Sequence, residues 1–355
     1  MRSRTSCDPP PPALRRGFTM LELLAVIGII ALLMSAFVLV FANYMESAKV
    51  QATRTTISKI DAILKQRMNA LRKQDLSDAA NRLVIANLAS STEAGKALAL
   101  KRALRSNFPQ QRADNANGTA NPPAPFQRIT STWVTNNPTA ESAAYLYMIV
   151  TKGATYGTPT VDDSAFLSSE TQTIDDVTFF VDGWGQPLRY YRAPTRLFWL
   201  GEDVNGNGSL DTGEDDVDGD GNVSPTSTVQ AYYTQARIIL APSVRFSSAG
   251  LLVHPLRIDG DDQLNRLREL LLSGSPATFQ TGLWSSFESV FQTPATYSTP
   301  MILSVGRDGL SGLDEPSSST GAGRRAALNS TALAGDLTAL TDNITNLNSQ
   351  TLGGN

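Results

Sequence analysis

The chain has 355 residues, 41% of them hydrophobic and 18% charged, and a formal net charge of −3. That length allows one large or two small domains with a real core, and the charge balance offers no basic stripe of the kind nucleic-acid binding requires. Charge is unevenly placed: in residues 1–17 Arg2, Arg4, Arg15 and Arg16 stand against Asp8 alone, which leaves an acidic remainder. Cys7 is the single cysteine, so a chain without its first segment forms no disulfide. It does not read as a lipid-attachment site, because the apolar run follows it. An exported domain of this kind relies on its core, on metal ions or on assembly.

Arg15-Arg16-Gly17 precedes Phe18-Thr19-Met20-Leu21-Glu22 and then twenty uncharged residues, Leu23 to Ala42. At about 1.5 Å rise per residue that run is about 30 Å long, the thickness of a bilayer core. It predicts a single-pass transmembrane helix, with the N-terminus cytoplasmic by the distribution of arginines. A secretory signal carries its cleavage site after the apolar run, whereas here the better site, after Gly17, comes before it. Glu22 at the edge of such a helix costs about 2 to 3 kcal/mol unless it finds a partner. Cleavage after Gly17 would free the amine of Phe18, which in a staggered assembly can neutralise Glu22 of a neighbouring subunit.

The stretch Gly17-Phe18-Thr19-Met20-Leu21-Glu22-Leu23-Leu24 resembles the class III signal of type IV pilins and type II secretion pseudopilins. The resemblance implies cleavage after Gly17 by prepilin peptidase, methylation of Phe18 and an assembly role for Glu22. It also implies an inner-membrane protein with a periplasmic domain. Its partners would be the peptidase, copies of itself in a helical fibre, an inner-membrane assembly platform and membrane lipid.

Past the apolar run, Ile57, Ile60, Leu64, Met68 and Leu71 recur at steps of three and four, which predicts a continuous helix from about Phe18 to Lys73. Residues 74–138 read as an insertion with helices over Ala80–Leu88 and Thr92–Leu104, followed by a loop rich in Asn, Gly and Pro. A helix is predicted over Thr139–Thr151. Strand-like runs follow at Val177–Val181, Leu188–Arg192, Arg196–Leu200 and Tyr232–Leu240, predicting an antiparallel sheet of three to five strands. The expected fold class is α+β: one long N-terminal helix, transmembrane in its first half, packed on a small antiparallel sheet, pilin-like, with insertions. The expected divisions are a leader (1–17), a transmembrane helix (18–43), its amphipathic continuation (44–73), the insertion (74–138), the α+β domain (139–316) and a partly ordered Ser/Thr/Asn-rich tail (317–355).

Asp182-Gly183-Trp184-Gly185-Gln186-Pro187 resembles the D-x-W-G-x-P turn of the major pseudopilin type. Ser304-Val305-Gly306-Arg307-Asp308-Gly309 resembles its S-x-G-x-D-G segment. Asp342-Asn343-Ile344-Thr345-Asn346 resembles its closing acidic-isoleucine-asparagine stretch, with Leu347 where a tryptophan is common. These marks favour a pseudopilin over an adhesive or DNA-uptake pilin.

Asp203, Asn205, Asn207, Gly208, Ser209, Asp211 and Glu214 fit the calcium-loop template D-x-[DN]-x-[DN]-G-x5-E. Side-chain oxygens at Asp203, Asn205 and Asn207 can converge on one ion. The Ser209 carbonyl, Asp211 and both oxygens of Glu214 complete the set, and all-oxygen ligation points to Ca2+. A second run, Asp216, Asp218, Asp220 and Asn222, repeats half the template without a closing glutamate and reads either as a weaker site or as added charge. The resemblance implies a calcium loop nearer the C-terminus, which leaves Ser304 and Asp308 as further candidates. His254, beside Pro255, reads as a surface residue. No nucleophile elbow, P-loop or dinucleotide motif is present, so the chain reads as a structural protein and not an enzyme.

Overall fold

A computed structural model of the chain describes residues 19–86, 88–89, 91–115, 124–198, 216, 219–224, 226–244, 261–262, 299–318 and 323–348, with the side chains of residues 36, 38–40, 42 and 115 excepted. The chain divides into two units, Met1–Ala48 and Lys49–Asn355. Helix α1, Met20–Arg72, runs from the first into the second. In the first unit its large apolar side chains are exposed, Met20, Leu24, Leu32, Phe37 and Tyr44 among them. In the second, Ile57, Ile60, Leu64, Met68 and Leu71 are buried, the stripe their spacing predicts.

The expected membrane anchor is corrected here. Among the described residues no helix is long and apolar enough to cross a membrane. The transmembrane half of the expected fold class and the single-pass inner-membrane placement therefore do not stand.

The single sheet is corrected as well. Two antiparallel sheets form instead: a hairpin of β1 (Thr171–Ile174) and β2 (Val177–Phe180), and a three-stranded sheet ordered β3 (Arg189–Tyr191), β4 (Met301–Ser304), β5 (Ile344–Thr345). The three-stranded sheet is covered on both faces. Tyr190, Ile302 and Ile344 enter one core, while Tyr191, Met301 and Leu303 enter another. Alternation of side chains across a strand produces this division, and burial on both faces explains why β4 is apolar without interruption.

The first core joins the α1 stripe, β2 and helix α6, Glu141–Lys152, which is buried at every position from Glu141 to Val150. A helix apolar nearly all round is one that is packed on all sides. Between α1 and α6 the insertion contributes α2 (Ser77–Ile85), α3 (Thr92–Asn107), α4 (Arg112–Asn115) and α5 (Ser131–Asn136). Ser91 caps α3 by accepting from the Ala94 N–H at 3.2 Å.

Two expected strands are helical. Tyr232–Leu240 falls in α8, Ser227–Leu240, whose buried residues Val229, Tyr233, Ala236 and Leu240 follow helical and not alternating spacing, with Thr226 as N-cap. Residues Arg196–Phe198 fall in the short α7, Thr195–Phe198, which opens just after Pro194. The C-terminal segment is also structural: Ala326, Leu328, Ala332, Leu340 and Leu347 join α8 and the second face of the sheet, with α9 at Ser330–Leu333. His254 lies outside the described residues.

If residues 323–347 are an integral layer, Leu340→Ala, at a side chain with no exposed surface, lowers stability by about 3 kcal/mol in urea unfolding. A loss below about 0.5 kcal/mol would mean that the tail is dispensable.

Candidate functional site

The expected site residues fall in three places. Gly17 and Phe18 lie outside the described residues. Glu22, in the first turn of α1, is exposed and answers Thr19. Glu22 Oε2 accepts from the Thr19 N–H at 2.9 Å and from its hydroxyl at 3.0 Å, and Thr19 Oγ1 accepts from the Glu22 N–H at 3.2 Å. This reciprocal capping box holds the carboxyl below the usual carboxylate range. Thr19-x-x-Glu22 carries that signature in the sequence, and the membrane reading passed over it.

The segments that carry the pseudopilin resemblance converge. Asp182 Oδ1 accepts from the Trp184 and Gln186 N–H groups, each at 2.9 Å, and Oδ2 accepts from Ser304 Oγ at 2.7 Å. So the carboxylate of the tryptophan turn both closes its own loop and fixes the start of the S-x-G-x-D-G segment. Burial pushes the Asp182 carboxyl up, against the Ser304 hydroxyl, the two N–H donors and the Arg189 charge. On the other side of the turn, the Gly183 N–H donates to Thr53 Oγ1 at 2.9 Å. A Cβ at Gly183 would stand 2.6 Å from the Lys49 carbonyl oxygen, so the turn lies directly on the backbone of α1.

Gly306, at φ +66°, brings the next turn against Asp342, which accepts from the Arg307 and Asp308 N–H groups at 2.7 and 3.1 Å. Asp308 accepts from the Leu310 N–H at 2.8 Å; burial, with the Asp342 charge beside it, pushes its carboxyl up. Asn346 closes the arrangement. Its Oδ1 accepts from the Ile302 N–H at 2.9 Å, and its amide donates to Asp61 Oδ1 on α1 at 2.6 Å. Asp61 also pairs with Lys65 at 2.7 Å. Thr53 and Asp61 were not singled out by sequence. The available signal was an acid beside an apolar stripe on an otherwise basic helix face.

The first acidic loop, Asp203, Asn205, Asn207, Ser209, Asp211 and Glu214, lies outside the described residues, as does Asp218. Of the second run, Asp216, Asp220 and Asn222 are described. Asp216 accepts from the N–H groups of Gly219, Asp220 and Gly221 at 2.6, 3.2 and 3.0 Å, and Asp220 accepts from the Asn222 N–H at 2.7 Å. Gly219 and Gly221, both at φ +75°, allow the chain to wind around the Asp216 carboxylate. These carboxylates are engaged by their own turn. Among the described residues no group of three or more His, Cys, Asp or Glu side chains is placed to hold a metal ion. A cleft of about 520 Å³ near the end of α1 and α3, lined by Arg72, Glu93, Lys96 and Asp261, includes none of the expected site residues.

Comparison of the chain with family models, with curated proteins and with solved structures finds no match. The functional reading therefore rests on the residues and their geometry.

Replacing Asp182 by alanine leaves three donors without their acceptor and costs about 3 kcal/mol in urea unfolding at pH 7, whereas Asp182→Asn, which keeps an acceptor for the turn, costs about 1 kcal/mol. Equal losses would show that the charge of the carboxylate, and not its acceptor for the turn, is what matters.

Proposed function

We propose that the chain is a structural pseudopilin subunit of a type II secretion system. On this reading it is matured by prepilin peptidase, with cleavage after Gly17 and methylation of Phe18. It is then added by an assembly platform to a helical fibre of its own copies that drives protein export. The observation that carries the reading is the bare N-terminal half of α1. Apolar side chains on all sides of it, from Met20 through Leu23, Ile27, Ile30 and Leu33 to Phe41, are exposed. Contiguous apolar surface beyond a few hundred Å² marks an interaction site. A helix apolar all round, which no described part of the chain covers, is satisfied by a bundle of identical helices.

The convergence of the tryptophan turn, the S-x-G-x-D-G segment and the closing Asp-Asn-Ile-Thr-Asn stretch supports the same reading, because segments far apart in sequence make one polar cluster. Glu22 serves assembly through its charge once the Phe18 amine of a neighbour is free. Ca2+ is the proposed ligand of the loop Asp203, Asn205, Asn207, Ser209, Asp211 and Glu214, with Asp216, Asp218, Asp220 and Asn222 beside it.

The test of the function is deletion of the gene, followed by a census of secreted proteins and of surface fibres. Loss of secreted proteins is expected; a normal secretome with loss of long fibres would assign the chain to an adhesive or DNA-uptake pilus. Glu22→Gln, which keeps an N3 capping side chain and drops the charge, is expected to fold normally and to lose most cross-linkable oligomer. Unchanged oligomer would remove Glu22 from assembly. For the metal, saturating Ca2+ is expected to raise the melting temperature of the protein by about 5 °C or more over chelator, and identical curves would exclude the loop as a calcium site.

A further inference from the structure

The triplet Asn-x-Ser/Thr, with x other than Pro, is the acceptor pattern for N-linked glycosylation, and it is headed in this chain by Asn117, Asn207, Asn222, Asn329 and Asn343. Transfer of a glycan needs more than the pattern. The side-chain amide has to be open to solvent, and the triplet has to be free to enter the groove of a transferase. Asn117 and Asn207 lie outside the described residues. The other three triplets differ in kind.

Asn343 is 4% exposed, its Nδ2 donates to the Ser311 carbonyl at 2.8 Å, and its triplet runs into the buried strand β5. Asn329 is the N-cap of α9: its Oδ1 accepts from the Ala332 N–H at 3.0 Å, and Thr331 of its triplet is already helical. Neither triplet can be drawn out without undoing the layer to which Leu328, Ala332 and Leu347 belong. Asn222 stands instead in the turn of residues 219–224, which is neither helix nor strand and precedes Thr226, the N-cap of α8. Asn222 and Ser224 are both exposed. At Gly219 and Gly221 a Cβ would meet nothing within 4 Å, so the turn stands clear of its surroundings. The Asn222 N–H donates to Asp220 Oδ1 at 2.7 Å, which fixes the backbone, while its Nδ2 makes one long bond, to the Asp220 carbonyl at 3.3 Å. The nitrogen that a glycan would take is exposed and weakly held.

We propose that Asn222 is an N-glycosylation site, and that its donor is an oligosaccharide carried on a lipid pyrophosphate. In the transfer, Nδ2 of Asn222 forms a bond to the anomeric carbon of the first sugar while the bond from that carbon to the pyrophosphate oxygen breaks. The lipid pyrophosphate leaves with that electron pair, the proton lost from Nδ2 passes to a base of the transferase, and nothing is oxidised or reduced. Ser224 supplies the hydroxyl two residues on that the acceptor pattern requires. The proposed calcium ligands from Asp203 to Glu214 are not touched. A glycan is bulky and polar, so it keeps the face that carries Asn222 outside any contact between copies. The proposal rests on the secretion reading only in that the chain has to meet a lipid-borne donor.

The test is peptide mass spectrometry of the full chain purified from its own cells. A hexose-containing mass on the peptide with Asn222 is expected, lost in Asn222→Gln and in Ser224→Ala, both exposed substitutions, and kept in Asn329→Gln; the Asn343 peptide is expected bare. Bare Asn222 in the native chain, or the same added mass persisting in Asn222→Gln, overturns the proposal. A second arm tells the two readings apart: the folded, unmodified chain is incubated with a purified oligosaccharyltransferase and a lipid pyrophosphate-linked oligosaccharide, beside a short acceptor peptide that shows the enzyme to be active. If Asn222 is bare in the cell and bare here, the site itself fails. If it is bare in the cell and modified here, the chain does not meet the donor, and the secretion reading fails with the proposal. A glycan on Asn222 in a strain whose secreted proteins are unchanged by deletion of the gene upholds the site and removes only the secretion reading.

Discussion

Burial of the three-stranded sheet on both faces is the constraint from which most of the architecture follows. A sheet of short strands, with Tyr190, Ile302 and Ile344 on one side and Tyr191, Met301 and Leu303 on the other, needs two layers of cover. The stripe of α1 and helix α6 belong to the first layer; α8 and residues 323–347 belong to the second. Neither layer is optional, because removing one exposes every second residue of the strands. The position of β4 between two strands far from it in sequence makes the arrangement strongly non-local, with Arg189 opposite Leu303 and Ser304 opposite Ile344.

What could be read from the sequence was what repeats locally. The apolar stripe Ile57–Leu71, the Ser91 cap and the strands around Val177 and Tyr190 follow from spacing and end signals. What could not be read was where a segment finds its partner. Tyr232–Leu240 is rich in aromatic and branched residues and satisfies strand propensity, yet packing of Val229, Tyr233, Ala236 and Leu240 on one face makes it a helix. The C-terminal segment is rich in Ser, Thr and Asn. Those residues make side-chain bonds to backbone, as Asn343 does to the Ser311 carbonyl at 2.8 Å and Thr345 to the Leu240 carbonyl at 2.5 Å, while the few leucines between them fill the second core. The membrane expectation took apolarity as a span, whereas among the described residues no helix is long and apolar enough to cross a membrane, and α1 opens with a capping box.

The candidate site divides in the same way. The motif residues Asp182, Ser304, Gly306 and Asp342 were legible one by one, and their mutual contacts were not. An acid that accepts from two amides of its own turn and from a serine about 120 residues later acts as a clasp, and only the folded chain shows what it clasps. Glu141 shows the opposite case. At the first position of a helix an acid reads as favourable to the helix dipole, and only its burial in the folded chain, with Asp114 adding to it, makes it a costly charge.

The close approach of Gly183 to Lys49 has a mechanical meaning. The tryptophan turn sits on bare backbone of α1, with Thr53 bonded to it and Asp61 bonded to Asn346 further along the same helix. Force applied along the axis of α1 would load these lateral ties together, in shear, and not peel them one after another. Within the second unit, the part of α1 from Lys49 onward and the strands β3, β4 and β5 would then bear such a load together.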